Sequence, residues 1–217
     1  MRELPFNKKP ALSGKTNSLL VFLHGYGADG ADLFGLADVL APHLPDTVFL
    51  APDAPERARG GHGLQWFPIP WLDGSSEAAA RDGLARASED LNGFLDTRLA
   101  DEGLADTALA LLGFSQGAMM AMHVAPRRAV AMAGVVAISG RLLEPERIAE
   151  ISARPPVLLI HGDLDQVVPF ANMANAGEVL TGAGIDVFGH VMPDTGHGIA
   201  PDGLSVALAF LRERLPG

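Results

Sequence analysis

A chain of 217 residues that is 48% hydrophobic and 19% charged has the composition of one folded domain with a sizeable core, not of a disordered segment. Its net charge of -10, with no run of Lys and Arg longer than a pair, opposes contact with phosphate backbones and anionic membrane surfaces and so speaks against a nucleic-acid partner. The absence of cysteine excludes disulfides, thiolate metal sites and a cysteine nucleophile.

Residues 1–10 contain no apolar core of signal-peptide length, and the longest apolar run, residues 129–138, is too short to span a bilayer. A cytoplasmic protein without stable membrane insertion is expected. Up to about Ser18 the chain is polar and punctuated by Pro5, Pro10 and Gly14, which predicts an extended lead-in with at most a short edge strand. Residues 19–23 are continuously apolar, as in a parallel strand covered on both faces, and end in the glycine-rich stretch His24-Gly25-Tyr26-Gly27. Leu33, Leu36, Ala37 and Leu40 recur at helical spacing until Pro42, and residues 47–51 read as the next buried strand.

Residues 52–76 form a long irregular stretch rich in Gly and Pro that holds both tryptophans, Trp66 and Trp71, with Phe67 beside the first. Loops this long inside a compact domain tend to be functional, so these aromatics are expected to form an apolar lip over a site, the alternative being a plug onto the core. On the first reading Trp66→Ala alters substrate preference more than stability. Residues 77–102 carry an amphipathic helical stripe of Leu84, Leu91, Phe94 and Leu95. Further strands are expected at residues 107–112, 134–138, 156–160 and 185–192, and helices at 116–124, 145–152, 170–180 and 204–215. Strands and helices alternate throughout, which predicts an open, mostly parallel sheet with helices on both faces in a single domain over residues 1–217.

The chemistry centres on Gly113-Phe114-Ser115-Gln116-Gly117. An apolar strand ends at Gly113 and a helix begins after Ser115, so Ser115 falls on a sharp strand-to-helix corner, where glycines two residues before and after leave room for neighbouring backbone. Asp165 and His197 follow two later strands. In an open parallel sheet these strand ends share one edge, and the chain order serine, acid, histidine is that of α/β-hydrolases. The Ser115 hydroxyl needs a base, His197 is suited to take and return its proton, and Asp165 would fix the imidazole tautomer. Of the rivals, Asp163 and Asp194 read as turn and capping carboxylates, His24 and His161 as hydrogen-bonded structural histidines, His123 and His190 as members of regular elements, and His43 and His62 as surface residues. The backbone N–H of Gln116 and that of Tyr26, in the first glycine-rich loop, are the expected donors to an oxyanion. That loop lacks the lysine of a phosphate cradle.

The motifs Leu23-His24-Gly25-Tyr26-Gly27, Gly113-Phe114-Ser115-Gln116-Gly117, His161-Gly162-Asp163-Leu164-Asp165 with Val168-Pro169, and Gly196-His197 together resemble the phospholipase/carboxylesterase family of α/β-hydrolases, which includes acyl-protein thioesterases. The resemblance runs from near residue 19 to near residue 200. It implies the α/β-hydrolase fold, Ser115, Asp165 and His197 as catalytic triad, Tyr26 and Gln116 as oxyanion donors, and a substrate pocket lined by Trp66, Phe67, Trp71 and Val168. The chain departs from the family in having Tyr26 where leucine is usual and Trp66-Phe67-Pro68 where a Trp-aromatic-Asp run is usual.

The expected function is a serine carboxylesterase acting on small-molecule esters of short to medium acyl chains through an acyl-enzyme, with no cofactor or metal, as monomer or homodimer. Thioesterase or lysophospholipase activity would use the same machinery. A hydrolase-fold binding protein without turnover and a metal hydrolase built on His24, His161, Asp163 and His197 are the readings from other classes.

Overall fold

The computed structural model describes residues 2–59 and 61–217, leaving Met1 and Gly60 outside it. Its strands in chain order are β1 (Phe6–Lys9), β2 (Ser18–Leu23), β3 (Thr47–Pro52), the short pair β4 (Glu56–Arg57) and β5 (Leu64–Gln65), β6 (Leu109–Phe114), β7 (Gly134–Ile138), β8 (Val157–Gly162) and β9 (Val187–Met192). All except β4 and β5 join one sheet in the order β1, β3, β2, β6, β7, β8, β9. Within this sheet, among the described residues, only β1, the lead-in segment, runs antiparallel to its neighbour.

The helices are α1 (Gly30–Phe34), α2 (Leu36–Leu40), α3 (Pro70–Asp73), α4 (Glu77–Glu102), α5 (Gln116–Val124), α6 (Ala171–Gly182) and α7 (Pro201–Arg214). The apolar strands hide a period of two. Leu19, Val21, Leu109, Leu111, Val135 and Val157 pack in one core with residues of α4, α5 and α6. Leu20, Phe22, Ala110, Leu112, Val136 and Leu158 pack in a second core with α1, α2 and α7. Helices therefore cover both faces, which is why the strands read as unbroken hydrophobic runs.

Three elements differ from the expectation. The single helix expected before Pro42 is broken into α1 and α2 at Gly35, a poor helix former at an exposed position. The 145–152 helix is a 3-10 helix over Pro145–Glu150. The loop of residues 52–76 is not wholly irregular, since it holds the β4–β5 ribbon and α3.

The sheet order places β3 and β6 on opposite sides of β2. Chain direction across the sheet reverses there, opening a crevice beyond the carboxyl ends of β2 and β6, where Leu23 pairs with Gly113. Gly117, in the first turn of α5, lies so close to β2 that a Cβ would overlap the Leu23 carbonyl. Gly117→Ala should therefore lower the unfolding free energy by about 3 kcal/mol or more, both colliding groups being backbone. Gly35→Ala, in open space at a helical φ of -58°, should raise it by about 0.4–1 kcal/mol. Urea unfolding of the two variants beside the parent checks both signs.

Candidate active site

Ser115 stands at the corner between β6 and α5 with φ 53° and ψ -116°, a left-handed conformation that a side chain rarely adopts. The corner is fixed on both sides. Its N–H donates to the Ile138 carbonyl at the end of β7 (2.8 Å), and a Cβ on Gly113 would overlap the Gly117 carbonyl. The elbow thus closes only because both glycines lack side chains.

The loops after β8 and β9 bring two more groups to this corner. Nδ1 of His197 lies 2.7 Å from Asp165 Oδ2, and Nε2 lies 3.0 Å from Ser115 Oγ. An ionised carboxylate only accepts, so Nδ1 carries the proton, Nε2 is the acceptor, and the Ser115 hydroxyl donates to it. Asp165 is buried, which by itself opposes ionisation. The hydrogen bond from His197 and those from the Val167 and Val168 amides, 2.9 Å each to Oδ1, outweigh that cost and hold its pKa below the ordinary carboxylate range. Gly162 permits the two loops to touch, because a Cβ there would overlap the carbonyls of Thr195 and Gly196.

The rival groups have other partners. Asp163 accepts from the Thr195 N–H (3.3 Å), and Asp194 sits in a turn at φ 51°. His161 is buried, with Nε2 2.9 Å from the Val168 carbonyl and 3.3 Å from Asp165 Oδ2, the oxygen that His197 holds more closely. The Ala54 N–H donates to His24 Nε2 (3.0 Å), so His24 Nδ1 carries the proton and donates to the Gly25 carbonyl (2.8 Å). Burial keeps His24 neutral by lowering its pKa, against the smaller opposing pull of the Gly25 carbonyl and Asp53. Among the described residues no three His, Asp or Glu side chains meet in a metal-holding group.

Among the described residues, the backbone N–H groups of Tyr26 and Gln116 have no protein acceptor. The His24 bond to the Gly25 carbonyl fixes the peptide plane that carries the Tyr26 N–H, which in a trans peptide points the opposite way. The two side chains have a separate task that the sequence reading did not assign. Gln116 Oε1 accepts from the Trp66 N–H (3.0 Å) while its Nε2 donates to the Phe67 carbonyl (2.7 Å), and the Tyr26 hydroxyl donates to the Arg59 carbonyl (2.9 Å). Both residues thereby tie down the loop that follows β3.

A cavity of about 480 Å3 opens over Ser115 and His197, and its lining includes Tyr26, Ile69, Trp71, Leu72, Met119 and Val168. Trp71 and Val168, expected at the pocket, are in its lining. Trp66 and Phe67 are not. Trp66 is 0% exposed, packs beside the His24 ring (centroids 5.5 Å apart) and donates its indole N–H to the His24 carbonyl (3.0 Å). Phe67 is also in the core. The apolar-lip expectation is therefore corrected for these two. The Gln116 clamp turns the backbone at 66–67 inward, and the indole finds a buried acceptor for its single donor. That partner lies 42 positions away in sequence, so no local signal reported it.

A family model described as phospholipase/carboxylesterase matches residues 11–215 of the chain. Over 201 residues the chain is 29% identical to esterase YpfH of Escherichia coli strain K12, covering 91% of this chain and 83% of that protein. It is 27% identical to acyl-protein thioesterase 1 of Gibberella zeae, covering 95% and 94% respectively. Among solved structures, esterase PE8 superposes with a TM-score of 0.93 at 44% identity, covering 99% of this chain and all of that one. No helix among the described residues is long and apolar enough to cross a membrane.

Two predictions follow from burial. Trp66→Ala should cost about 3–5 kcal/mol of stability, read as a lowered urea midpoint, since it empties a fully buried indole site and orphans the His24 carbonyl. Acid should also weaken the fold through histidines buried neutral: His24, and His123 in α5, which burial and the nearby Arg127 and Arg147 push down to about 4. The unfolded chain binds these protons from about pH 6.5 downward while the native state does not. Stability should fall between about pH 6.5 and pH 4, by up to about 1.4 kcal/mol per pH unit from His123. His123→Gln should flatten this limb in urea unfolding at stepped pH.

Proposed function

The chain belongs to the phospholipase/carboxylesterase family, and from that premise we propose that it is a serine carboxylesterase, acting on esters of short to medium acyl chains through an acyl-enzyme. The observation that carries the proposal is the unbroken hydrogen-bond chain from Ser115 Oγ through both nitrogens of His197 to a carboxylate buried behind it. A nucleophile, a base and an orienting acid are within reach of one another before any substrate arrives.

In the proposed reaction His197 Nε2 takes the Ser115 proton as Oγ attacks the acyl carbon, and Asp165 stabilises the imidazolium. The carbonyl oxygen becomes an oxyanion, for which the unpartnered Tyr26 and Gln116 amides are the available donors; one such donor is worth roughly 100–1,000-fold in kcat. Collapse breaks the ester C–O bond, with His197 returning the proton to the leaving alcohol. Water then attacks the acyl carbon as His197 takes its proton, and collapse breaks the acyl–Oγ bond, His197 returning the proton to Ser115 Oγ as the acid leaves. None of these steps calls for a group from outside the chain beyond substrate and water.

The likeness to an acyl-protein thioesterase supports a second reading in which a thiol is the leaving group. The two differ in the bond cleaved and share every residue, so only substrate competition separates them.

Hydrolysis of p-nitrophenyl esters from acetate to dodecanoate should peak at short to medium chains, and Ser115→Ala should lower kcat by at least about 10,000-fold without changing the unfolding midpoint appreciably. An acyl-thioester series run alongside distinguishes the second reading by its larger kcat/KM. Esterase activity that survives Ser115→Ala would remove Ser115 from the mechanism.

A further inference from the structure

Trp71 stands between two cavities. One is the cavity of about 480 Å3 over Ser115; the other, of about 100 Å3, has Phe67, Pro68, Leu84 and Leu143 in its lining together with charged side chains, Arg141 among them. Trp71 is the one described residue that belongs to both linings. Its side chain is 55% exposed, so core packing alone does not hold it.

Two restraints hold it instead. The short helix α3 that carries Trp71 is closed at both ends by one carboxylate, Asp73, which accepts from the Ile69 N–H (3.0 Å) and the Ser75 N–H (2.8 Å). The indole face is covered by the Arg141 guanidinium, 3.9 Å from the ring centroid. Arg141 is half-buried, and its Nε has no hydrogen-bond partner, so the indole face is a principal contact of a partly desolvated cation. The chain delivers Arg141 to this place through a constrained exit from β7. Ser139 is buried at φ 52°, and Gly140 passes so close to α5 that a Cβ would lie 2.7 Å from Ala118 Cβ. A strained serine and a crowded glycine fix the direction in which the next side chain leaves the sheet.

We infer that Trp71 is a partition that ends the acyl cavity, that Arg141 clamps it in place, and that together they set the longest acyl chain the site accepts. This rests on the serine-esterase reading above. The space behind the partition offers Phe67, Pro68, Leu84 and Leu143 as apolar cover, beside the charged Glu77, Arg81, Arg141 and Glu144, and removing the indole joins it to the cavity over Ser115. Each further methylene that finds apolar cover is worth about fourfold in kcat/KM. Arg141 is a positioning residue here: it acts on the ester through Trp71.

The test compares wild type, Trp71→Ala, Arg141→Met and Arg141→Lys on the p-nitrophenyl ester series. The readout is the ratio of kcat/KM for dodecanoate to that for butyrate, with acrylamide quenching of tryptophan fluorescence and the unfolding midpoint measured on the same samples. Trp71→Ala should raise the ratio at least tenfold with an unfolding midpoint near that of wild type. Arg141→Met, which keeps the stem and loses the charge, should raise it about threefold or more, and Arg141→Lys should fall between Arg141→Met and wild type. Trp66 is fully buried, so quenching reports Trp71; it should increase in Arg141→Met. An active wild type whose ratio is unchanged in Trp71→Ala, or whose variants lose activity equally on all chain lengths, overturns the partition. Unchanged quenching in Arg141→Met overturns the clamp. A wild type silent on every ester overturns the underlying esterase reading instead, which keeps the two failures distinct.

Discussion

The contact on which the site depends is between backbone and backbone. Gly117 in the first turn of α5 packs against the Leu23 carbonyl at the end of β2, and Gly113 packs against the Gly117 carbonyl. These two approaches leave Ser115 no relaxed backbone conformation, and it takes the positive φ that turns a strand directly into a helix. The cost of that conformation, on the order of 1–3 kcal/mol, is offset by the cores packed on both faces of the sheet. A side chain held this way cannot relax into the helix it precedes, so its hydroxyl stays at the sheet edge where the loops carrying Asp165 and His197 arrive.

Those loops obey the same rule at a second place. Gly162, at the end of β8, lets the 195–196 backbone cross it, and the crossing delivers His197. The proposed chemistry then unfolds in a negative field. Apart from the His197 imidazole, the ionisable side chains lining the cavity over Ser115 are Tyr26 and Asp32, and the whole chain carries a net charge of -10. Hydrolysis of an ester turns a neutral substrate into an anionic acid. Such a field disfavours the anion and so assists departure of the proposed product.

Much of this was legible in the sequence because it is local. The strand before Ser115, the limits of α4 and α5 and the parallel sheet follow from runs of apolar residues and from glycine and proline positions. The grouping of Ser115, Asp165 and His197 followed from a topological argument, that parallel strand ends share an edge. What the sequence hid is contact between distant segments. Trp66 and Trp71 look alike in a loop rich in Pro and Gly, yet one is in the core and the other on the cavity wall, and the difference is made by the Gln116 amide about 50 positions further along. Arg141 gave one usable signal, its place three residues after a strand that ends on the ligand edge. The break at Gly35 was visible as a glycine but not as a break, since glycine also occurs in intact helices, as Gly83 and Gly93 do in α4.

The two residues proposed as oxyanion donors show this distinction between backbone and side chain. An oxyanion donor is a backbone N–H, and any residue supplies one; on that ground Tyr26 and Gln116 would be free to vary. Their side chains nevertheless bind the loop after β3 at two places, Tyr26 at Arg59 and Gln116 at 66–67, and Gly27 and Ala28 add backbone bonds to Leu64 on the β4–β5 ribbon. The same loop continues through Ile69 into α3 and carries Trp71 to the wall of the cavity. Each of the two residues proposed to receive the oxyanion through its amide thus also anchors, through its side chain, the segment that bounds the acyl chain. A displacement of that loop would be felt at both amides, so in the proposed enzyme the fit of the chain and the stabilisation of the transition state are set by one connected piece of structure.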